Sequence, residues 1–215
     1  MKVRILIADD HALVRDGLRM NLEARGDLVV VGNAVNGRDA LARALELVPD
    51  VVIMDIGMPE LNGIEATRLI CEQLPAVKVL MLSMYSSSEH CYRALRSGAK
   101  GYILKESAGE EVVTAVNSIM RGRLYFGVGV ANPLEKGAGG QHNAQKSPLE
   151  SLSRRELEIF QLVVEGKSSS EIAVLLVLSS KSVDTYRSRL MQKLGVGNIP
   201  SLVCFALQHG ITPAR

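Results

Sequence analysis

The sequence predicts an open, doubly wound parallel α/β sheet of five strands, followed by a small all-helical unit. Three observations predict it. Short aliphatic and β-branched runs alternate with helical stretches as far as residue 121, the pattern of strands buried on both faces. Polar residues stand just past the ends of those runs. From about Leu149 the alternation stops and helix-start signals recur.

Val3–Ala8 reads as the first strand, and Ala12–Arg25 as a helix stopped by Gly26. Leu28–Ala34, Val51–Met54, Lys78–Leu82 and Gly101–Leu104 read as the other strands. Asp39–Val48, Gly63–Gln73, Glu89–Ser97 and Glu110–Arg121 read as the helices between and after them. This strict alternation implies right-handed crossovers and helices on both faces. The stretch from Gly127 to Pro148 is rich in glycine and polar residues and reads as a linker. The expected division is 1–124, a linker over 125–148, and 149–215. In the last part, Ser153 with Glu156 forms a capping box, and Gly166 ends that helix. A short helix follows over Glu171–Leu176, started by Ser169 or Ser170, then a turn at Leu178-Ser179-Ser180. Ser182–Leu194 and Ser201–His209 complete the unit, with His209 as a C-terminal capping residue and Gly210 as the stop.

Composition excludes several classes. Of the 215 residues, 47% are hydrophobic and 22% charged, enough for packed cores and ordinary for a soluble protein. A net charge of +2 is too small to argue nucleic-acid binding by itself, so that argument must rest on local pattern. Cys71, Cys91 and Cys204 lack metal-type spacing and cannot all pair, which suits a reducing compartment. The chain enters a strand directly, and no apolar run approaches the ~20 residues of a membrane span. A soluble, cytoplasmic protein with no membrane partner is expected.

The polar residues past the strands predict chemistry. Asp9 and Asp10 follow the first strand, Asp55 the third, Ser83 the fourth and Lys105 the fifth. In open parallel sheets, ligands gather at these carboxyl ends. Three carboxylates packed together repel one another unless a cation holds them. An all-oxygen site suits Mg2+, which keeps several waters. With a lysine and a hydroxyl added, the site suits a phosphoryl group: one carboxylate as nucleophile, with metal and lysine neutralising the transferring oxygens. Taken singly, each residue has a plainer reading. Asp9 or Asp10 can simply cap a helix, Lys105 can be a surface lysine, and Ser83 a strand-end serine.

Taken together, Asp9-Asp10, the stretch Asp55-Ile56-Gly57-Met58-Pro59, Ser83, and Tyr102 followed by Lys105 resemble the receiver domain of two-component response regulators over roughly the first 120 residues. The resemblance implies the flavodoxin-like strand order 2-1-3-4-5. It implies Asp55 as the phosphorylated nucleophile and a Mg2+ held by Asp10, by Asp9 through water, by Asp55, and by the carbonyl of Gly57. Lys105 is then the phosphate counter-ion, Ser83 the switch hydroxyl, and Tyr102 the aromatic that moves inward with it. Two residues depart from the common pattern. Glu106 stands where a proline often follows the lysine, which argues against a cis peptide there. Gly57 has no side chain to orient an attacking water, so the aspartyl-phosphate should outlast minutes.

The C-terminal part is similar to the LuxR-type helix-turn-helix of the NarL/FixJ group. Leu152-Ser153-Arg154-Arg155-Glu156, Glu165-Gly166-Lys167-Ser168, Glu171-Ile172-Ala173, Lys181 to Arg187, and Arg189 to Leu194 carry that likeness. It implies a third helix in the major groove of double-stranded DNA. Val183, Leu190, Met191 and Leu194 should face inward. Asp184, Thr185 and Ser188 should face base edges, with Ser182 at the same interface. Lys181, Arg187, Arg189 and Lys193 should contact phosphates. Ser169 and Ser170 replace a polar pair that would offer a further phosphate contact. The implied function is a transcriptional response regulator, phosphorylated by a sensor histidine kinase and binding promoter DNA as a homodimer, not an enzyme. Two alternatives remain at this point: an aspartate-based phosphatase, and a DNA-binding regulator indifferent to phosphate.

Overall fold

Parallel strands read as runs buried on both faces, and the computed structural model, which describes residues 2–24, 26–132 and 148–208, has that arrangement. The chain divides into two compact units, Met1–Glu135 and Lys136–Arg215.

The first unit alternates β1 (Val3–Ala8), α1 (Ala12–Glu23), β2 (Leu28–Ala34), α2 (Gly37–Leu47), β3 (Val51–Asp55), α3 (Gly63–Gln73), β4 (Lys78–Ser83), α4 (Ser88–Arg96), β5 (Gly101–Leu104) and α5 (Ala108–Met120). A sixth strand, β6 (Tyr125–Phe126), follows, and the sheet order is β2-β1-β3-β4-β5-β6 with all pairs parallel. The 2-1-3-4-5 order therefore holds. The sheet has one strand more than the expected five: Gly101 pairs with Tyr125 and Tyr102 with Phe126, filling the edge beside β5.

Strand side chains alternate between faces, and this splits the core in two. Leu6, Ala8, Val52, Met54, Val79, Met81 and Tyr102 pack with residues of α2, α3 and α4. Ile5, Ile7, Val51, Ile53, Leu80, Leu82 and Ile103 pack with α1 and α5. Fully burying an aliphatic chain of this kind contributes about 1.5–3 kcal/mol, so both faces of the central strands are firmly held. Every residue of β3 is buried.

Helices α2, α4 and α5 begin one or two residues before the expected points. Asn36 accounts for α2: its side chain accepts from Asp39 N at 2.8 Å and starts the helix at Gly37. The expected end of α1 at Arg25 lies outside the described residues.

The second unit opens with a 3-10 turn, Pro148–Ser151, followed by α6 (Arg154–Val164), α7 (Ser169–Leu176), α8 (Ser180–Leu194) and α9 (Ile199–Gln208). The capping box of Ser153 and Glu156 is present, and Ser168 with Glu171 forms a second one. Ser179 caps α8, which therefore starts two residues before the expected Ser182. Asn198 likewise accepts from Ser201 N and brings the start of α9 forward. Phe160, Ile172, Val183, Leu190, Leu202 and Ala206 are buried together, with Met191 and Leu194 partly buried against them. The linker residues 133–147 and the expected stops at His209 and Gly210 lie outside the described residues. Among the described residues no single helix is long and apolar enough to cross a membrane.

Candidate functional site

Strands β1, β3 and β5 end at the same edge of the sheet, and the residues at their carboxyl ends converge. Asp9 follows β1, is completely buried, and its N–H donates to Ala34 O. Asp55 is the last residue of β3 and nearly as buried. Lys105 follows β5, with its N–H donating to Ser83 O at 2.8 Å. The Lys105 Nζ lies 2.7 Å from Asp55 Oδ2 and 2.8 Å from Asp9 Oδ2. Behind the pocket, Gly63 packs so closely that a Cβ there would collide with the Asp55 carbonyl. Only glycine lets α3 start against the end of β3.

One ammonium serves two buried carboxylates, and the balance shows in their acidity. Burial raises the Asp55 pKa to about 6, and the Asp9 charge adds to it. Lys105 and the N–H of Gly57 pull it down without cancelling the rise. Burial works against the charge on Lys105, yet Asp55 and Asp9 outweigh that and raise its pKa.

Asp10 and His11 complete the pocket. The His11 Nδ1 is 2.7 Å from Asp10 Oδ1 and 3.2 Å from Asp9 Oδ1, and its backbone N–H donates to Asp9 Oδ1 at 2.8 Å. Ligand atoms of Asp9, Asp10, His11 and Asp55 all lie within 4.8 Å of one another. Asp9 Oδ2 and Asp10 Oδ1 are buried, and despite the nearby Lys105 and His11 nitrogens neither accepts a hydrogen bond of good geometry. Buried anionic oxygens with spare lone pairs are what a hard divalent cation requires, so these residues fit Mg2+. His11 was not among the expected site residues. Its position directly after the Asp9-Asp10 pair was the signal available.

The expected switch residues sit at the same strand edge. Ser83, buried at the end of β4, accepts a hydrogen bond on Oγ from Tyr85 N at 2.9 Å. Tyr102 is completely buried, and its hydroxyl donates to Tyr85 O at 2.7 Å. Burial raises the Tyr102 pKa far above that of a free phenol. The Tyr85 ring stacks on His90 of α4, with centroids 4.7 Å apart, and Ser87 Oγ meets His90 Nδ1 at 2.6 Å. Tyr85 therefore links Ser83 and Tyr102 to the start of α4, a role the sequence reading did not give it. Gly57 is exposed. There is no cis peptide bond among the described residues, the Lys105–Glu106 bond included.

In the second unit, α8 exposes Lys181, Asp184, Thr185, Ser188, Arg189 and Lys193, with Ser182 and Arg187 half-buried. Internal partners distinguish them. Ser169, first residue of α7, donates to Asp184 Oδ1 and accepts from Arg187 Nη1, both at 2.6 Å. The Thr185 and Ser188 hydroxyls donate to the carbonyls four residues earlier. Lys193 Nζ is 2.7 Å from the buried carboxylate of Glu156 and 3.1 Å from Ser151 O. Lys193, expected at a phosphate, is tied internally to the buried carboxylate of Glu156. Ser169, expected to start α7 or to mark a lost phosphate contact, is its first residue after the cap Ser168 and ties α7 to α8 through these two bonds.

Residues 5–117 match the family model of the response regulator receiver domain, and residues 150–206 match that of the bacterial regulatory proteins, luxR family. The oxygen regulatory protein NreC of Staphylococcus carnosus is 39% identical over 96% of this chain and 97% of its own. The transcriptional regulatory protein MctR of Rhizobium johnstonii is 39% identical over 98% of this chain and 95% of its own. Among solved structures, the complex of the two-component response regulator RcsB with DNA aligns with a TM-score of 0.57 at 28% identity, covering 95% of this chain and 98% of that one.

Proposed function

Since the chain belongs to the response-regulator family, as a receiver domain joined to a LuxR-type DNA-binding domain, and is a phosphorylation-dependent transcriptional regulator, we propose that Asp55 is its phosphoryl acceptor. The observation that carries this reading is the convergence of Asp9, Asp55 and Lys105 at one strand edge, with two buried carboxylates on one ammonium. A carboxylate oxygen of Asp55 attacks the phosphorus of a phosphohistidine on a sensor histidine kinase. The O–P bond forms, the P–N bond breaks, and the imidazole leaves with its electron pair. Lys105 neutralises the charge on the transferring group. Asp9, Asp10, Asp55 and the carbonyl of Gly57 would hold Mg2+, whose charge, when bound, further stabilises the phosphoryl oxygens.

Ser83 then turns its hydroxyl from Tyr85 N towards the phosphoryl group, and Tyr85, Tyr102 and α4 follow. The protein holds this phosphoryl group as a signal and does not turn over substrate. In the C-terminal unit α8 enters the major groove. Asp184, Thr185 and Ser188 read base edges beside Ser182, while Lys181, Arg187 and Arg189 contact phosphates. A homodimer on two half-sites about one helical turn apart fits this mode of binding. The RcsB–DNA complex supports the DNA half of the reading. This regulator works in the cytoplasm, away from any membrane. Residues 1–124 form the receiver, 125–148 the linker and 149–215 the DNA-binding domain, with the first residues of the linker, Tyr125 and Phe126, paired to the edge of the receiver sheet.

The test is labelling from a small-molecule phosphodonor with Mg2+. Wild type should take up about one alkali-labile phosphoryl group per chain. Asp55→Asn, or wild type with a chelator, should take up none. Equal label in the mutant would overturn the assignment.

A further inference from the structure

The chain leaving α5 does not go straight to the linker. Tyr125 N donates to Lys100 O at 3.1 Å and Gly127 N to Tyr102 O at 2.8 Å, so this segment continues the sheet beside β5. It then turns, with Val130 N donating to Gly127 O, and reaches the β4–α4 loop, where Ala131 N donates to Ser86 O at 3.3 Å. Phe126 and Val130 pack on the same core cluster as Tyr102. The segment therefore touches two groups tied to Tyr85: Tyr102, whose hydroxyl meets the Tyr85 carbonyl, and Ser86, the next residue along.

Glu111 holds this segment from the other side. It is a buried carboxylate on α5, among Val112, Ala115 and Val116. A buried carboxylate there is costly unless hydrogen-bonded, and among the described residues its side-chain partners come from the exit segment. Tyr125 OH donates at 3.0 Å to Oε2, and Val128 N donates at 3.2 and 3.1 Å to the two oxygens. The fit is close: a Cβ at Gly127 would lie 2.9 Å from Glu111 Oε2 and 3.2 Å from Ile103 Cα. An apolar residue at 111 would pack this face of the sheet. A carboxylate also fixes the backbone of the chain on its way to the second unit.

We propose that Tyr125–Ala131 is a transmission strap, held to α5 by Glu111 and to the β4–α4 loop through Ser86. It passes the rearrangement at Ser83 to the chain that leads to the DNA-binding unit. The proposal rests on the phosphorylation reading above. Glu111 is a positioning residue: it touches neither the phosphoryl group nor DNA. When the β4–α4 loop moves, the Ala131–Ser86 contact and the Tyr102 pairing move with it, and Glu111 is the fixed point against which the segment shifts.

The test uses the full chain, as wild type, Glu111→Ala and Asp55→Asn, each with and without a small-molecule phosphodonor and Mg2+. Three quantities are read: label on Asp55, hydrogen exchange at residues 84–88 and 125–131, and DNA affinity. In wild type, exchange in both segments should change together on phosphorylation. In Glu111→Ala, label should stay close to wild type and residues 125–131 should exchange fast in both states. The ratio of DNA affinities with and without phosphodonor should fall by about fivefold or more. A merely structural Glu111 would lower stability and leave that ratio alone. A labelled Glu111→Ala with the wild-type ratio overturns the strap. Failure of wild type to take label overturns the phosphorylation reading instead, so the two failures are distinct. Should Glu111→Ala lose both label and its melting transition, Tyr125→Phe, which removes one donor, is judged by the same ratio.

Discussion

Two lysines, one in each unit, make similar contacts with different outcomes. Lys105 lies 2.7 Å from Asp55 and 2.8 Å from Asp9, and Lys193 lies 2.7 Å from Glu156 and 3.1 Å from Ser151 O. Around Glu156 the charges balance. Burial would raise its pKa, but hydrogen bonds from Lys193 and from the Ser153 backbone and hydroxyl outweigh that and hold it below the usual value. Around Asp55 they do not balance: one ammonium is shared, Asp10 stands next to it, and the Asp55 pKa rises to about 6. A buried carboxylate with its own cation and two backbone or hydroxyl donors is a structural tie. A surplus of buried carboxylates over cations calls for a further cation and suits a phosphoryl group.

The comparison breaks first at the lysines themselves. Lys105→Met should slow phosphoryl uptake from a small donor by on the order of 10²–10³, read as initial label incorporation, while Lys193→Met should leave that rate unchanged. Comparable rates for Lys105→Met and wild type would remove the distinction.

A second effect is on stability. Because the folded Asp55 pKa is raised, from 3.8 to about 6, the folded state keeps a proton that the unfolded state has released between those values. Metal-free protein should thus be most stable below pH 4 with respect to this group, and lose stability as pH rises to 6. Roughly two pH units give about 3 kcal/mol. Denaturant melts at pH 4 and pH 7 should show this slope in wild type and a flatter one in Asp55→Asn. Equal slopes would mean the surplus charge is compensated elsewhere.

On the balanced side, Lys193→Met should destabilise the C-terminal unit by about 1–2 kcal/mol, because it strips a partner from buried Glu156. It should leave the salt dependence of DNA binding unchanged, whereas Lys181→Ala or Arg189→Ala should each lower the log–log salt slope by ~1. A lowered slope for Lys193→Met would return that residue to the DNA interface. The smallest expected effect is at Gly57. Gly57→Asn should shorten the aspartyl-phosphate lifetime several-fold, a barrier change of about 1 kcal/mol. A wild-type label that decays within minutes would contradict the long-lived intermediate.

The difference between the two regions also explains what was legible in the sequence. At the strand edge, Asp9, Asp55 and Lys105 stand at the ends of buried parallel runs, and that topology brings them to one place. Their pairing could be read from order alone. On α8, exposure leaves several roles open to one residue type, so Lys193 and Arg187 looked alike until Glu156 and Ser169 supplied their partners. β6 escaped notice because two residues, Tyr125 and Phe126, carry no alternation. The early starts of α2, α8 and α9 trace to Asn36, Ser179 and Asn198, whose capping groups lie outside the apolar pattern that marks a helix. His11 meets Asp9 and Asp10 and Tyr85 meets Ser83 through local side-chain contacts, and periodicity does not report such contacts.

The central claim is that the state of Asp55 controls the DNA-binding unit. The most direct measurement is selection from randomised duplex DNA, using wild type and Asp55→Asn, each with and without phosphodonor and Mg2+. Phosphodonor-dependent enrichment of a two-fold symmetric site by wild type, absent in Asp55→Asn, is the predicted result. Equal enrichment of the same site in all four conditions would contradict the account and make DNA binding independent of the acidic pocket.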